Sequence, residues 1–320
     1  MNSDFSFADM LNQKMSDDEI ESYLIQLAEK GETVEDVVSL VMALRARMVT
    51  VATKMPLLDC CGTGGDGSHS LNVSTAVSFV VAGAGIRVAK HGNRAASSQS
   101  GAGDVLEALG INISAQADKQ KEALDQFGFC FLMAPLYHPV LKPIAPIRKR
   151  ISHKTIFNLT GPLLNPAGAD HQLIGVYSQD WIFRYAQILK SLGKTKRAMI
   201  VSSDDGLDEI SLSAPTRYAL LDEKGDIQEG ILTPADFGLP SVNLSELKGG
   251  NAAYNAAAFM QALRGDDSAY RAVILANAAA CLWIAGVSKT LKDGVDRAAQ
   301  SLDDGKALAI LESYREFVKE

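Results

Sequence analysis

The chain has 320 residues, of which 47% are hydrophobic and 22% charged, the make-up of a globular chain with room for about two domains and a sizeable core. Its formal net charge of −7 speaks against nucleic acid as the main partner. The polar, acidic start is unlike a secretory signal, and the longest apolar run, 273–285, contains Asn277 and is too short to span a bilayer, so a cytoplasmic chain without membrane contact is expected.

Residues 1–50 read as helical throughout. Ile20, Tyr23, Leu24 and Leu27 fall on one helix face that ends near Gly31. Thr33 caps a second helix, whose apolar face is Val34, Val37, Val38, Val41 and Leu44. Nothing here is chemical, so packing or dimerisation is the expected role.

The stretch 57–75 organises the rest. Gly62, Gly64, Gly65 and Gly67 leave a turn almost bare of side chains, between an apolar run ending in Asp59 and a helix that starts after Asn72-Val73-Ser74-Thr75. Backbone N–H groups of such a turn and of the helix start can approach a polyanion closely. Two familiar phosphate loops do not fit. A nucleotide P-loop requires Lys after its last glycine, where Ser68 and His69 stand here. Gly62, Gly64 and Gly67 satisfy G-x-G-x-x-G, but no carboxylate follows between Asp66 and Asp104 to hold a ribose. Another phosphate ligand is expected.

From Leu57 onward, short β-branched runs alternate with helices, the pattern of an α/β fold. A strand is expected at 85–89, running into Lys90, His91, Gly92, Asn93 and Arg94, with the hydroxyl-rich loop 95–101 behind it. That crowd reads as a second anion loop or as a solvated charged turn, and a phosphate-type loop just upstream favours the first. Helices are expected at 102–109 and 119–126. Pro139, Pro143 and Pro146 then imply a hinge or several short helices. Residues 158–166 read as a rigid loop. A helix at 182–192 and a buried strand at 198–202 lead to Asp204, Asp205, Asp208 and Glu209, which spacing leaves open as a Mg²⁺ site or an acidic surface turn. Four helices are expected at 251–264, 268–285, 289–301 and 304–317. Arg148 has the fork geometry for a carboxylate, but its position alone suits a helix-end cap, and His138 suits a satisfied loop histidine. Cys60, Cys61, Cys130 and Cys281 have no metal-site spacing and are expected as free buried thiols.

Taken together, Gly62-Thr63-Gly64-Gly65-Asp66-Gly67, Asn72-Val73-Ser74-Thr75, Lys90-His91-Gly92-Asn93-Arg94, the 158–166 segment and Asp208-Glu209 closely resemble the anthranilate phosphoribosyltransferase family, in order and from about Phe7 to the C-terminus. The resemblance implies a small all-helical N-terminal domain plus a larger α/β domain with a central mostly parallel sheet flanked by helices. The first would span 1–52 with a returning segment near 135–155, the second 53–320. It implies transfer of the phosphoribosyl group of 5-phosphoribosyl 1-diphosphate to the amine of anthranilate, with Mg²⁺ as cofactor, in tryptophan biosynthesis, by a homodimer joined through the helical domain. Phosphoribosyl diphosphate would be held by Gly62, Thr63, Gly64, Gly65, Asp66, Gly67, Asn72, Ser74, Thr75, Lys90, Ser97, Ser98 and Ser100. Anthranilate would lie against Gly62, His91, Asn93, His138 and Arg148, with Arg148 facing its carboxylate. Ser74, Asp208 and Glu209 would hold the metal. No residue is implied as acid or base, because the amine needs no strong base before attack. The sequence departs from the family pattern in a shortened first helix, in Gln99 where many relatives carry Lys or Arg, and in Lys154 in place of a frequent Arg. A nucleoside phosphorylase would carry different residues around Lys90-His91-Gly92-Asn93. A nucleic-acid-binding relative would carry a basic surface and a degraded site, which the charge and the intact motifs oppose.

Overall fold

The computed structural model describes residues 6–95 and 98–319. Three helices open the chain, α1 (Phe7–Leu11), α2 (Asp17–Lys30) and α3 (Val34–Arg45). Each starts with a hydroxyl residue, Ser6, Ser16 or Thr33, in a reciprocal capping box with an acid three residues on. The chain then runs β1 (Leu58–Gly62), α4 (Val73–Gly83), β2 (Val88–Gly92), α5 (Ala102–Ala108), α6 (Ala117–Phe127) and β3 (Phe129–Met133). The proline-rich stretch forms several short helices, α7 (Ala134–Tyr137), a 3₁₀ turn at Pro139–Leu141 and α8 (Ile144–Arg150), followed by α9 (Phe157–Thr160) and a 3₁₀ turn at Gly161–Leu163. After them come β4 (His171–Gly175), α10 (Trp181–Leu192), β5 (Arg197–Ser203), β6 (Thr216–Leu221), β7 (Ile227–Leu232) and α11 (Pro234–Phe237). The chain closes with α12 (Ala252–Leu263), α13 (Ala269–Ile284), α14 (Leu291–Asp303) and α15 (Lys306–Phe317).

The seven strands form one sheet in the order β3-β2-β1-β4-β5-β6-β7. The first five are parallel, and β6 and β7 add an antiparallel hairpin at one edge. The fold is therefore α/β with a mostly parallel sheet, as expected. The chain winds outward from β1 through β2 to β3, then returns to the other side of β1 to lay down β4. The direction of winding reverses between β1 and β4, where Gly62 pairs with Gly175. In open parallel sheets that reversal leaves a crevice beyond the C-terminal strand ends.

Helices cover both faces. One apolar core joins β1–β3 to α4 and the C-terminal helices, with Phe79, Phe129 and Tyr314 fully buried at its centre. A second joins α1–α3 to α8–α10 and the opposite face of β4–β6 through Leu40, Leu44, Ile147, Leu159 and Tyr185. The N-terminal helices and the segment returning at 144–164 thus share one core.

Two expectations need correction. The second strand starts at Val88, not at 85, because Gly85 (φ 94°) and Ile86 bond back to Ala82 and Val81 and are used to end α4. Lys90 and His91 consequently belong to the strand. The 158–166 segment is a pair of short helical turns rather than a loop, started by the Asn158 side chain accepting from the Thr155 N–H at 3.0 Å.

Candidate active site

The glycine turn leaves the sheet at the reversal point. Gly64, Gly65 and Gly67 all have φ between 64° and 76°, a left-handed backbone conformation that residues with a side chain rarely adopt. Gly62 and Gly175 serve a different purpose. A Cβ on Gly62 would overlap the Asp208 carboxylate, and one on Gly175 would overlap the Asp208 carbonyl. These paired strand ends are bare so that Asp208 can lie across them and accept the Gly64 N–H at 3.0 Å.

An open cleft lies over this turn, floored by the start of α4 and by Asp208 and Glu209. Asn72 precedes α4 but does not cap it. Its side chain instead donates to the Ser100 carbonyl (3.2 Å) and accepts from Asn255 (2.9 Å). The first turn of α4 is left as an anion seat, and in this state the Glu209 carboxylate takes the Ser74 N–H at 3.1 Å. Limited access to water and the neighbouring Asp66 carboxylate push the Asp208 carboxyl up to about 7, and Glu209, next to Asp208, is raised as well. Two strained carboxylates beside an anion seat suit a divalent cation. No cage of three or more His, Cys, Asp or Glu side chains exists among the described residues, so a cation on Asp208 and Glu209 would draw its other ligands from neutral oxygens such as the Ser74 hydroxyl, from water and from phosphate, as Mg²⁺ does. Asp204 and Asp205 are not part of this group. Asp204 is held by Arg217 (3.1 Å) and Gln179 (2.8 Å), and Asp205 by Ser211 (2.6 Å) and Ser213, so they build the turn that presents Asp208 and Glu209.

Beside the cleft, His91 and His138 meet edge to face with ring centres 5.3 Å apart. Burial, with His138 adjacent, lowers His91 to about 3, and burial lowers His138 to about 4. Both are neutral at physiological pH. The His91 Nδ1 pairs with the Gly161 carbonyl at 3.1 Å, whereas its Nε2 and both ring nitrogens of His138 have no hydrogen-bond partner among the described residues. Arg148 is half-buried over the Phe157 ring at 4.8 Å, its pKa lowered by loss of water, with no carboxylate in ion-pair range among the described residues. A guanidinium in that condition is short of an anion. The next arginine, Arg150, is paired with Glu21 at 2.6 Å.

Of the expected phosphate residues, Gly62, Gly64, Gly65, Asp66, Gly67, Asn72, Ser74, Ser98 and Ser100 line the cleft. Thr63, Thr75 and Lys90 lie off its wall. Thr63 accepts the Tyr177 N–H at 3.2 Å, Thr75 is buried, and the buried Lys90 ammonium donates to the Cys60 carbonyl (2.7 Å) and to Ser74 Oγ (3.3 Å). Lys90 thus reaches the site through the Ser74 hydroxyl. Asn93 is exposed at the end of β2, and Arg94 is tied to Glu107 (2.7 Å) and Asp104 (3.3 Å). Ser97 lies outside the described residues. All four cysteines are free.

Residues 54–308 match the model of a glycosyl transferase family, a/b domain. Over 310 residues the chain is 46% identical to an anthranilate phosphoribosyltransferase of Sphingopyxis alaskensis, covering 97% of this chain and 92% of that one. It is 47% identical to one of Rhodopseudomonas palustris, at 96% and 90% coverage. The chain belongs to the anthranilate phosphoribosyltransferase family. Among solved structures it superposes on the Thermus thermophilus anthranilate phosphoribosyltransferase with a TM-score of 0.91 at 36% identity, covering 98% of this chain and 94% of that one. The enzyme from Saccharomyces cerevisiae, in complex with PRPP and Mg, superposes with a TM-score of 0.88 at 27% identity, at 98% and 90% coverage.

In this anthranilate phosphoribosyltransferase chain two contributors to the site, Gly175 and Asn277, stand outside every motif, and a third, Asn165, sits inside the 158–166 motif with no role expected for it. Gly175 clears the space for Asp208. Asn277, on α13, accepts the Ile210 N–H (3.0 Å) and donates to the Ile210 carbonyl (2.9 Å), fixing the turn that carries the acid pair. Asn165 donates to Asp59 (2.8 Å) and to the Ala89 carbonyl (2.7 Å), locking the 158–166 segment onto the sheet. Of the two outside the motifs, Asn277 had a signal in the sequence, as a single polar residue inside an apolar run.

Proposed function

We propose that this chain transfers the phosphoribosyl group of 5-phosphoribosyl 1-diphosphate to the amine of anthranilate, giving N-(5-phosphoribosyl)anthranilate and diphosphate, in tryptophan biosynthesis. The observation that carries the reading is the pair of half-buried carboxylates, Asp208 and Glu209, set against the uncapped start of α4 and the bare glycine turn. A phosphorylated substrate arriving with Mg²⁺ satisfies both sets of groups at once. Family membership adds the identity of the substrates, since relatives carry this enzyme's name and the yeast enzyme was solved with PRPP and Mg and with 4-fluoroanthranilate.

In this reading the glycine turn, Asn72, Ser74, Ser98 and Ser100 hold the phosphates. Thr63, Thr75 and Lys90 support that grip from behind. Ser74, Asp208 and Glu209 hold the cation, which when bound supplies charge neutralisation at the leaving diphosphate. Arg148 takes the anthranilate carboxylate, and His91, Asn93, His138 and Gly62 frame its ring and amine. The neutral histidine pair adds no charge to compete with Arg148. The amine nitrogen bonds to C1 of the ribose as the C1–O bond to diphosphate breaks, and the resulting aryl ammonium, a strong acid, gives its proton to water. Positioning and electrostatics supply the rate.

In this reading 1–52 with the returning segment near 135–155 is the helical domain and 53–320 the α/β domain. Exposed Met42, Val49, Met55 and Leu136 on or near the helical domain support a homodimer joined there. No described helix is long and apolar enough to cross a membrane, in line with a cytoplasmic enzyme.

The test follows loss of anthranilate fluorescence with phosphoribosyl diphosphate and Mg²⁺, with and without chelator, in the wild type and in Arg148→Ala. The expected result is metal-dependent turnover, with the KM for anthranilate about a hundredfold higher in the variant, the loss expected for a charge-assisted fork. No turnover at any substrate concentration would sink the assignment.

A further inference from the structure

The cleft lacks cations of its own. Asp66, Asp208 and Glu209 line it, and among the described residues no lysine or arginine does. A substrate carrying a phosphate and a diphosphate adds several negative charges to that wall, so a nearby ammonium is electrostatically valuable.

Lys154 stands at the edge, in the segment between α8 and α9. Its ammonium lies 3.7 Å from the centre of the Tyr177 ring. Its Cε is 3.2 Å from the place where a Cβ on Gly65 would sit, so the bare turn at Gly65 makes room for it. The backbone that carries the ring is tied to the glycine motif, because the Tyr177 N–H bonds to the Thr63 hydroxyl. Asp66 and Asp208 both act on the Lys154 charge without forming an ion pair with it. The lysine is exposed yet tethered, which a purely solvated surface lysine is not.

We propose that Lys154 is a diphosphate-binding residue, whose ammonium leaves the face of Tyr177 and closes onto phosphate oxygens held by the glycine turn. The role rests on the phosphoribosyl-transfer reading above. A ring face is a weak partner for an exposed cation, and a phosphate oxygen a strong one, so the exchange runs toward the ligand. No carboxylate pair has to be broken first. Lys154 lies on the segment that follows Arg148, so one stretch of chain would bring a cation to each substrate.

Calorimetric titration with magnesium diphosphate, of wild type, Lys154→Ala, Lys154→Gln and Lys154→Arg, tests the proposal without turnover. Both neutral variants are expected to bind about tenfold or more weakly, the loss of one charge-assisted contact, and the arginine variant to stay within a few-fold of wild type. In parallel kinetics the KM for anthranilate stays unchanged. Unaltered diphosphate affinity in the neutral variants overturns the proposal, as does an equal loss of anthranilate and diphosphate affinity, which marks a structural role. Absence of magnesium diphosphate binding by the wild type overturns it as well. A wild type that binds diphosphate but transfers nothing fails the transfer reading alone, and the titrations still decide Lys154.

Discussion

The Asp208 carboxylate accepts the Gly64 N–H while Asp66 stands close by, so in the metal-free protein its pKa is pushed up to about 7. An unfolded aspartate titrates near 3.9. Between those values the native state binds the extra proton, and stability contributed at this site is lost as pH rises toward 7. Above pH 7 the penalty is complete, on the order of 1–2 kcal/mol once screening by the open cleft is allowed for. An Asp208→Asn side chain can still accept from Gly64 and carries no charge. Metal-free Asp208→Asn is therefore expected to melt roughly 2–5 °C above wild type at pH 7.5, with the gain shrinking as pH falls to 5 and activity lost throughout. Thermal melts across that pH range check it. A variant less stable than wild type at pH 7.5 would show that the carboxylate is not strained.

Among the elements, α13 does most to set this geometry. Its Asn277 pairs with both backbone groups of Ile210, and its Tyr270 hydroxyl bonds the Asn72 carbonyl at 2.9 Å, so one helix fixes both the acid turn and the start of α4. Asn277→Leu would leave two buried backbone groups unpaired, at about 2–4 kcal/mol by denaturant unfolding. The same variant should lose diphosphate affinity while keeping its affinity for anthranilate. Unchanged stability would argue that the turn holds itself. This division explains what was legible in the sequence. The glycine turn, the helices of the C-terminal third and the Asp208-Glu209 pair show locally, in spacing and residue type. The contacts of Gly175, Asn165 and Asn277 do not, because their partners lie far along the chain and meet them only in the folded molecule. The start of β2 was misplaced for a related reason. Gly85 and Ile86 look like strand, and only the end of α4 claims them. Arg148 illustrates the same limit at the site, since helix-end position and carboxylate recognition differ only in whether an anion partner is present in space.

Across the whole molecule, the acids lie on the sheet side of the cleft, while Arg148 and Lys154 lie on the segment that returns from the helical core. An acidic wall cannot take up a polyphosphate without added cations, and two carboxylates with no further cage cannot hold Mg²⁺ firmly without phosphate oxygens. The two ligands should therefore depend on each other. Mg²⁺ alone and diphosphate alone are each expected to leave the melting temperature nearly unchanged. Both together, at about one hundred times their apparent Kd, should add about 2.7 kcal/mol, roughly 5 °C or more for a chain of this size. In Asp208→Asn the joint shift should collapse, because a cation that has lost a carboxylate ligand no longer bridges protein and phosphate. A full shift with Mg²⁺ alone would mean that the protein holds the metal by itself, and the coupling that makes the cleft selective for a metal-bound phosphate would fall with it.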